Sequence, residues 1–145
     1  MQLEVVTPRG TVVSAEVSEV TAPGLEGEFG ALPGHTPFIT AIKPGILSWR
    51  TGATGSPTSG GAKPSLLAIG AGYAEVSGAD KVVVITRAAV RPDEINVGEL
   101  KAKLDETERA LREWKEGGKP TREELTADSA WIAAQLELKI LADKQ

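Results

Sequence analysis

The sequence contains no cysteine, a single histidine and a single methionine, and aromatic residues make up only 4% of it. Without cysteine there is no disulfide and no thiolate-bound metal. One histidine is too few for an imidazole-based zinc site, so no metal is expected. There is no basic excess: 16 Lys and Arg against 20 Asp and Glu leave a net charge of -4. That argues against nucleic acid as a partner, because phosphate binding needs a basic face. No run approaches the roughly 20 apolar residues of a membrane-spanning helix. No leader is expected either, since Met1 runs directly into a strand-like segment. There is no G-x-x-x-x-G-K-[ST] loop and no G-x-G-x-x-G opening a helix. Gly70-Ala71-Gly72 is too short and too strand-like to take that role.

What is present is a chain of 145 residues, 41% apolar and 25% charged, the balance of a folded domain rather than a disordered segment. Its centre is the stretch from Ala22 to Leu47. There Gly24, Gly27, Gly30, Gly34 and Gly45 alternate with Pro23, Pro33, Pro37 and Pro44, which predicts sharp turns between short extended pieces. Glu26, Glu28 and His35 ride on those turns. Glu26 and Glu28 are two apart and would point the same way if extended, giving a paired-carboxylate surface open to acid–base chemistry or merely to solvent. His35 has no nucleophile motif beside it. It reads either as a turn histidine bonded to local backbone or as a binding residue on a loop held by a rigid scaffold.

Around this stretch the chain reads as short strands. Gln2–Val6, Thr11–Thr21 (one strand or two), Phe38–Ile42, Ile46–Thr51, Leu66–Val76 and Lys81–Ala88 are β-rich and separated by Gly/Pro turns, the pattern of a sandwich or barrel. The unbroken run Val82–Ile85 predicts a strand buried on both faces. Gly52–Lys63, almost all Gly, Ser, Thr, Ala and Pro, reads as a flexible hairpin loop. From Arg91 the texture becomes helical. Asn96 and Glu99 have the form of a capping box, and Val97, Leu100, Leu104, Leu111 and Trp114 form one apolar stripe. Gly117-Gly118 is expected to end that helix. Thr121 and Glu124 form a second capping box, opening a helix that reaches about Ala142, so the two helices make an antiparallel hairpin. The second helix carries two stripes: Ala127, Ala130, Trp131, Ala134, Leu138 and Leu141, and Leu125, Ile132, Leu136 and Ile140. A helix apolar on two faces needs two packing partners. The division expected is a β-sandwich over residues 1–90 and a helical hairpin over 91–145. The latter holds 10 of the 16 basic and 13 of the 20 acidic residues. Arg109, Arg112, Lys115 and Arg122 are its candidates for meeting a charged partner.

The run E-G-E-F-G-A-L-P-G-H-T-P, followed by T-A-I-K-P-G, resembles the signature of the epsilon subunit of the rotary ATP synthase. The resemblance extends to L-E-V-V-T-P-R-G, L-L-A-I-G-A-G-Y-A-E-V and V-V-V-I-T-R-A-A, and more loosely to A-W-I-A-A-Q-L-E-L. It implies a β-sandwich followed by a helical hairpin. It implies a non-catalytic rotor subunit, with the sandwich bound to gamma and resting on the c-ring loops. The hairpin would reach the alpha and beta catalytic subunits and restrain hydrolysis. Interface residues carried over are Glu28, His35 and, as a reporter of the hairpin, Trp131. The expected location is peripheral, on the cytoplasmic face of a bacterial inner membrane. Some members bind ATP through I/L-D-x-x-R-A at the start of the first helix. Here that place reads Ile95-Asn96-Val97-Gly98-Glu99-Leu100, with a carboxylate where phosphate needs a cation. No cofactor is expected, and ATP binding is expected to be weak or absent. The other classes weighed are a free-standing sandwich adaptor whose hairpin docks a different protein, and a small hydrolase using Glu26, Glu28 or His35.

Overall fold

A computed structural model describes residues 1–51 and 63–145; the loop expected at Gly52–Lys63 lies, but for Lys63, outside the described residues. Among the described residues nine strands precede two helices. In chain order they are β1 (Gln2–Thr7), β2 (Gly10–Gly24), β3 (Gly27–Ala31), β4 (Phe38–Ile42), β5 (Gly45–Thr51), β6 (Ser65–Ile69), β7 (Gly72–Ser77), β8 (Lys81–Thr86) and β9 (Ala89–Val90). A short 3-10 turn, Pro92–Glu94, leads to α1 (Val97–Arg112) and α2 (Arg122–Asp143).

The 15-residue β2 belongs to both layers. Its first half, up to Glu16, pairs with β1, and its second half, from Val17, pairs with β5 and then β3. The strands form one continuous sheet folded into two layers, β4-β7-β8-β1 with the start of β2, and β3, the end of β2, β5, β6 and β9, with β4 also meeting β2 where Ile42 pairs with Gly24. Among the described residues every strand pair is antiparallel except β1 with β8. Inward residues of both layers meet in one core that includes Leu3, Val5, Val17, Val20, Leu47, Trp49, Leu67, Ile69, Val82 and Val84. This is the expected β-sandwich followed by helices.

Several details differ from expectation. The segment Thr11–Thr21 is one strand, and it continues through Pro23 to Gly24. Pro23 is tolerated because it sits opposite Glu28 where β2 meets the short edge strand β3, and its carbonyl still accepts from Lys43 N–H at 3.0 Å. Leu66–Val76 is two strands, broken at Gly70-Ala71. There the buried Thr86 hydroxyl lies 2.8 Å from the Gly70 carbonyl and pins the corner. The run Val82–Ile85 is buried on one face only: Val82 and Val84 are inside, while Ile85 is 58% exposed. The strand buried on both sides is β6, where Leu67 and Ile69 enter the core and Ala68, pointing the other way, is equally covered. A continuous apolar run does not say which of its faces has a neighbour.

α1 stops at Arg112, before Gly117, and Trp114 lies beyond it, its indole N–H donating to the Pro120 carbonyl at 3.2 Å. Asn96 accepts from Glu99 N–H at 3.1 Å, but the reciprocal bond expected of a capping box is not formed. The second box is complete: Thr121 Oγ1 accepts from Glu124 N–H and Glu124 Oε2 from Thr121 N–H, each at 3.2 Å. α2 packs on α1 and also on β5 and β6. Leu125, Ile132, Ala134, Gln135 and Leu138 are its buried residues. The first stripe is therefore used only in its middle, with Ala127, Ala130 and Leu141 exposed, and the second is covered from Leu125 to Ile132, half-covered at Leu136 and exposed at Ile140.

Candidate functional site

Strand alternation determines which side chains the sandwich offers outward. On the β4-β7-β8-β1 layer, Val6 is registered beside Ile85, Ile85 opposite Tyr73, and Tyr73 opposite Ala41. The next outward row is Val83, Glu75 and Ile39. Tyr73 is 63%, Ile85 58% and Ile39 70% exposed. Val6, Ala41, Tyr73 and Ile85, with Leu25 and Pro8, border an open groove of about 670 Å³ that Arg87 also lines. A contiguous exposed apolar surface of this kind marks an interaction face. The outward face of the other layer is also apolar, with Ile46 registered opposite Ala68, but α2 lies there. One outer face is covered by the chain itself and the other is open.

The Glu28 and His35 edge is built differently. β3 follows β2 through a two-residue turn, Leu25-Glu26. Glu26 therefore sits in the turn and Glu28 in the strand, so strand alternation does not pair the two carboxylates. Among the described residues β3 pairs only with β2, which leaves its other edge without a strand partner there. Ala31 points inward and is buried, while Glu28, Gly30 and Leu32 point outward and are exposed. The chain then turns at Leu32-Pro33-Gly34-His35, with Gly34 at φ +83° and His35 N–H donating to the Leu32 carbonyl at 3.0 Å. This is the type II pattern, with Pro second and Gly third. His35 is exposed; its Nδ1 lies 2.7 Å from the Thr36 carbonyl and its ring 5.1 Å from that of Phe38, which packs edge-on against Phe29. The two readings of His35 are thus compatible: it is locally bonded and also presented outward.

At the helical end, Trp131 is half-buried and borders a cavity of about 180 Å³ with Pro44, Gly70 and Ala88 of the sandwich. On its other side it borders a cleft shared with Leu100, Lys103 and Thr107 of α1. Ile95 is half-buried, while Asn96 and Glu99 are exposed, and the Asn96 side chain caps α1 by accepting from Glu99 N–H. Arg109, Arg112, Lys115 and Arg122 are exposed, and none belongs to an ion pair found among the described residues.

A family profile described as the beta-sandwich domain of the ATP synthase delta/epsilon chain matches residues 1–92. The chain belongs to the ATP synthase epsilon-chain family. It is 42% identical over 112 residues to the ATP synthase epsilon chain of Geotalea uraniireducens, covering 77% of this chain and 74% of that one. It is 40% identical over 140 residues to that of Syntrophobacter fumaroxidans, covering 97% and 94%. A chain in the cryo-EM structure of the Euglena gracilis mitochondrial ATP synthase, containing OSCP, F1 and the c-ring, shares the fold. Its TM-score is 0.77 at 24% identity over 95% of this chain and 79% of that one. A chain in the central stalk and c-ring structure from Tetrahymena thermophila matches with a TM-score of 0.61 at 12% identity, covering 96% of each. Family membership carries the rotor-subunit role and disfavours the free-standing adaptor.

The residues that sequence reasoning missed are Tyr73, Ile85, Ile39 and Leu32. For Tyr73 the signal was available: in Gly72-Tyr73-Ala74-Glu75-Val76 the tyrosine shares its face with a glutamate, which places it outward. For Ile85 the β-branched run concealed it.

Proposed function

We propose that this epsilon-family chain is a non-catalytic spacer in the ATP synthase rotor, held by gamma on one face and resting on the c-ring with one edge. The observation that carries the first contact is the apolar row Val6, Ile85, Tyr73 and Ala41, which no helix among the described residues covers although the opposite outer face carries α2. Burying such a row contributes roughly 25 cal/mol per Å² of apolar area. The edge presenting Glu28, Leu32 and His35 is polar enough for the ring's loops. The subunit sits peripherally on the cytoplasmic side of a bacterial inner membrane; no helix among the described residues is long and apolar enough to cross one. Cysteines at positions 28, 35 and 131 test the arrangement in the assembled enzyme. Positions 28 and 35 are expected to cross-link to the ring and 131 to report the hairpin. Cross-linking of 28 and 35 to the catalytic subunits instead would overturn it.

The helical hairpin, residues 91–145, is the regulatory unit in this proposal. Here α2 is docked on β5 and β6. Extended along gamma, its buried residues Ala134 and Leu138 would need another cover, so the two arrangements compete through what each buries. Removing 91–145 is expected to leave co-purification with gamma intact and to raise ATP hydrolysis by the assembled enzyme. Loss of gamma binding in the shortened chain would count against a separate regulatory unit.

The start of α1 is poorly suited to a nucleotide. Glu99 brings negative charge to the place where phosphate would need a cation, and Asn96 is already bonded to the helix backbone. Calorimetric titration is expected to show no ATP binding in the micromolar range. A Kd of about 1 µM, equivalent to about -8 kcal/mol, would refute this.

A further inference from the structure

Asp80 is the one non-glycine residue with positive φ among the described residues, at +52°. It is the third residue of the Gly78-Ala79-Asp80 turn between β7 and β8, whose flanking Ser77 and Lys81 are paired. Three-residue hairpin turns of this kind take a left-handed residue, most often glycine. Any side chain there carries a backbone cost, least for Asn and Asp. The Asp80 side chain has a specific partner: its Oδ1 accepts from Gly34 N–H at 2.8 Å, across 46 residues of sequence. The Asp80 carbonyl also accepts from Gln2 N–H at 2.9 Å, anchoring the same residue to β1. A second contact reinforces the first, since Gly78 lies against the Pro37 ring, close enough that a β-carbon there would be 3.5 Å from Pro37 Cγ.

Gly34 N–H belongs to the central peptide of the Leu32–His35 turn. In a type II turn that peptide is flipped relative to type I, and its N–H has no partner inside the turn. A carboxylate placed to receive that proton selects the flipped form, and a bond to an ionised acceptor is stronger than a neutral one. We propose that Asp80 is a positioning residue for the ring-facing edge: its carboxylate holds the turn that presents Leu32 and His35. The tip of the β7–β8 hairpin is thereby a working part of that edge although it contributes no contact of its own. The proposal rests on the reading of this edge as the ring contact.

The test uses Asp80→Gly, which relieves the backbone and removes the acceptor, and Asp80→Asn, which retains an acceptor and tolerates the left-handed geometry. In the isolated chain, Asp80→Gly is expected to melt at or above the parent temperature while exchange of the Gly34 amide accelerates about tenfold, the loss of one bond to a charged group. Amides of β7 and β8 keep their rates, and Asp80→Asn restores most of the Gly34 protection. In the assembled enzyme carrying His35→Cys and a cysteine in the ring loop, Asp80→Gly is expected to lower the cross-link yield severalfold. Unchanged Gly34 exchange, or equal loss in Asp80→Asn and Asp80→Gly, overturns the bond. Faster exchange with unchanged cross-linking overturns the positioning role. If His35→Cys forms no cross-link with Asp80 intact, it is the ring reading that fails, whatever the exchange shows.

Discussion

Changing Tyr73 and Ile85 together to threonine is expected to weaken binding to purified gamma by roughly 30-fold, the loss of about 2 kcal/mol associated with an interface hot spot. The two residues face each other across β7 and β8 and are exposed to 63% and 58%. Threonine keeps the β-branched shape that suits a strand. It removes most of the apolar area and, at Tyr73, the aromatic ring. Because neither side chain contributes to the core, stability should move by less than about 1 kcal/mol. Titration of gamma gives the first quantity and thermal unfolding the second. Parent-like affinity in a correctly folded double variant would remove the open face from the binding surface.

The second expected result concerns the backbone beneath that face. Gly72→Ala should lower stability by roughly 3 kcal/mol, at the upper end of what overpacking costs, and the midpoint by roughly 10 °C. A β-carbon at Gly72 would stand 1.9 Å from the Ile85 carbonyl oxygen and 2.8 Å from Thr86 Cα. Both atoms are main chain in the paired strand, so no rotamer change relieves the contact. Gly72 is partnered with Thr86 in that ladder, and separating the strands would also disturb Tyr73 and Ile85. Gly30→Ala provides the contrast: its β-carbon would meet nothing closer than the Val20 carbonyl at 3.9 Å. It should change stability by less than about 1 kcal/mol, in either direction. Equal melting temperatures for the two variants would contradict the packing described for β7 and β8.

The strand–helix succession was legible because hydrophobic period and turn residues are local signals. The Thr121–Glu124 cap and the Pro8-Arg9 turn could be read directly. Pairing was not legible, and the errors follow from that. Whether Val82–Ile85 or Leu67–Ile69 is covered on both sides depends on where α2 lies, and nothing within either run encodes it. The end of α1 at Arg112 rather than Gly117 reflects the Trp114 indole reaching Pro120, a bond between segments read separately. Of the candidate site, Glu28 and His35 were singled out by the family resemblance; the glycine- and proline-rich pattern alone placed them on turns and left their role open. Asp80 was invisible because its partner is 46 residues away. The pairing of Glu26 with Glu28 required an extended backbone at both, and Glu26 lies in the Leu25-Glu26 turn instead.

The long β2 strand has a mechanical consequence. If gamma grips one layer and the ring pushes on the edge of the other, the load tends to slide the sheets past each other. An apolar core packed to crystal-like density resists compression and transmits strain through its interdigitated side chains. Added to that packing, the strand Gly10 to Gly24 is one uninterrupted piece of covalent backbone paired within both layers. Shear is therefore borne also by peptide bonds and two ladders of hydrogen bonds in series, which should keep angular slip between shaft and ring small under sustained load.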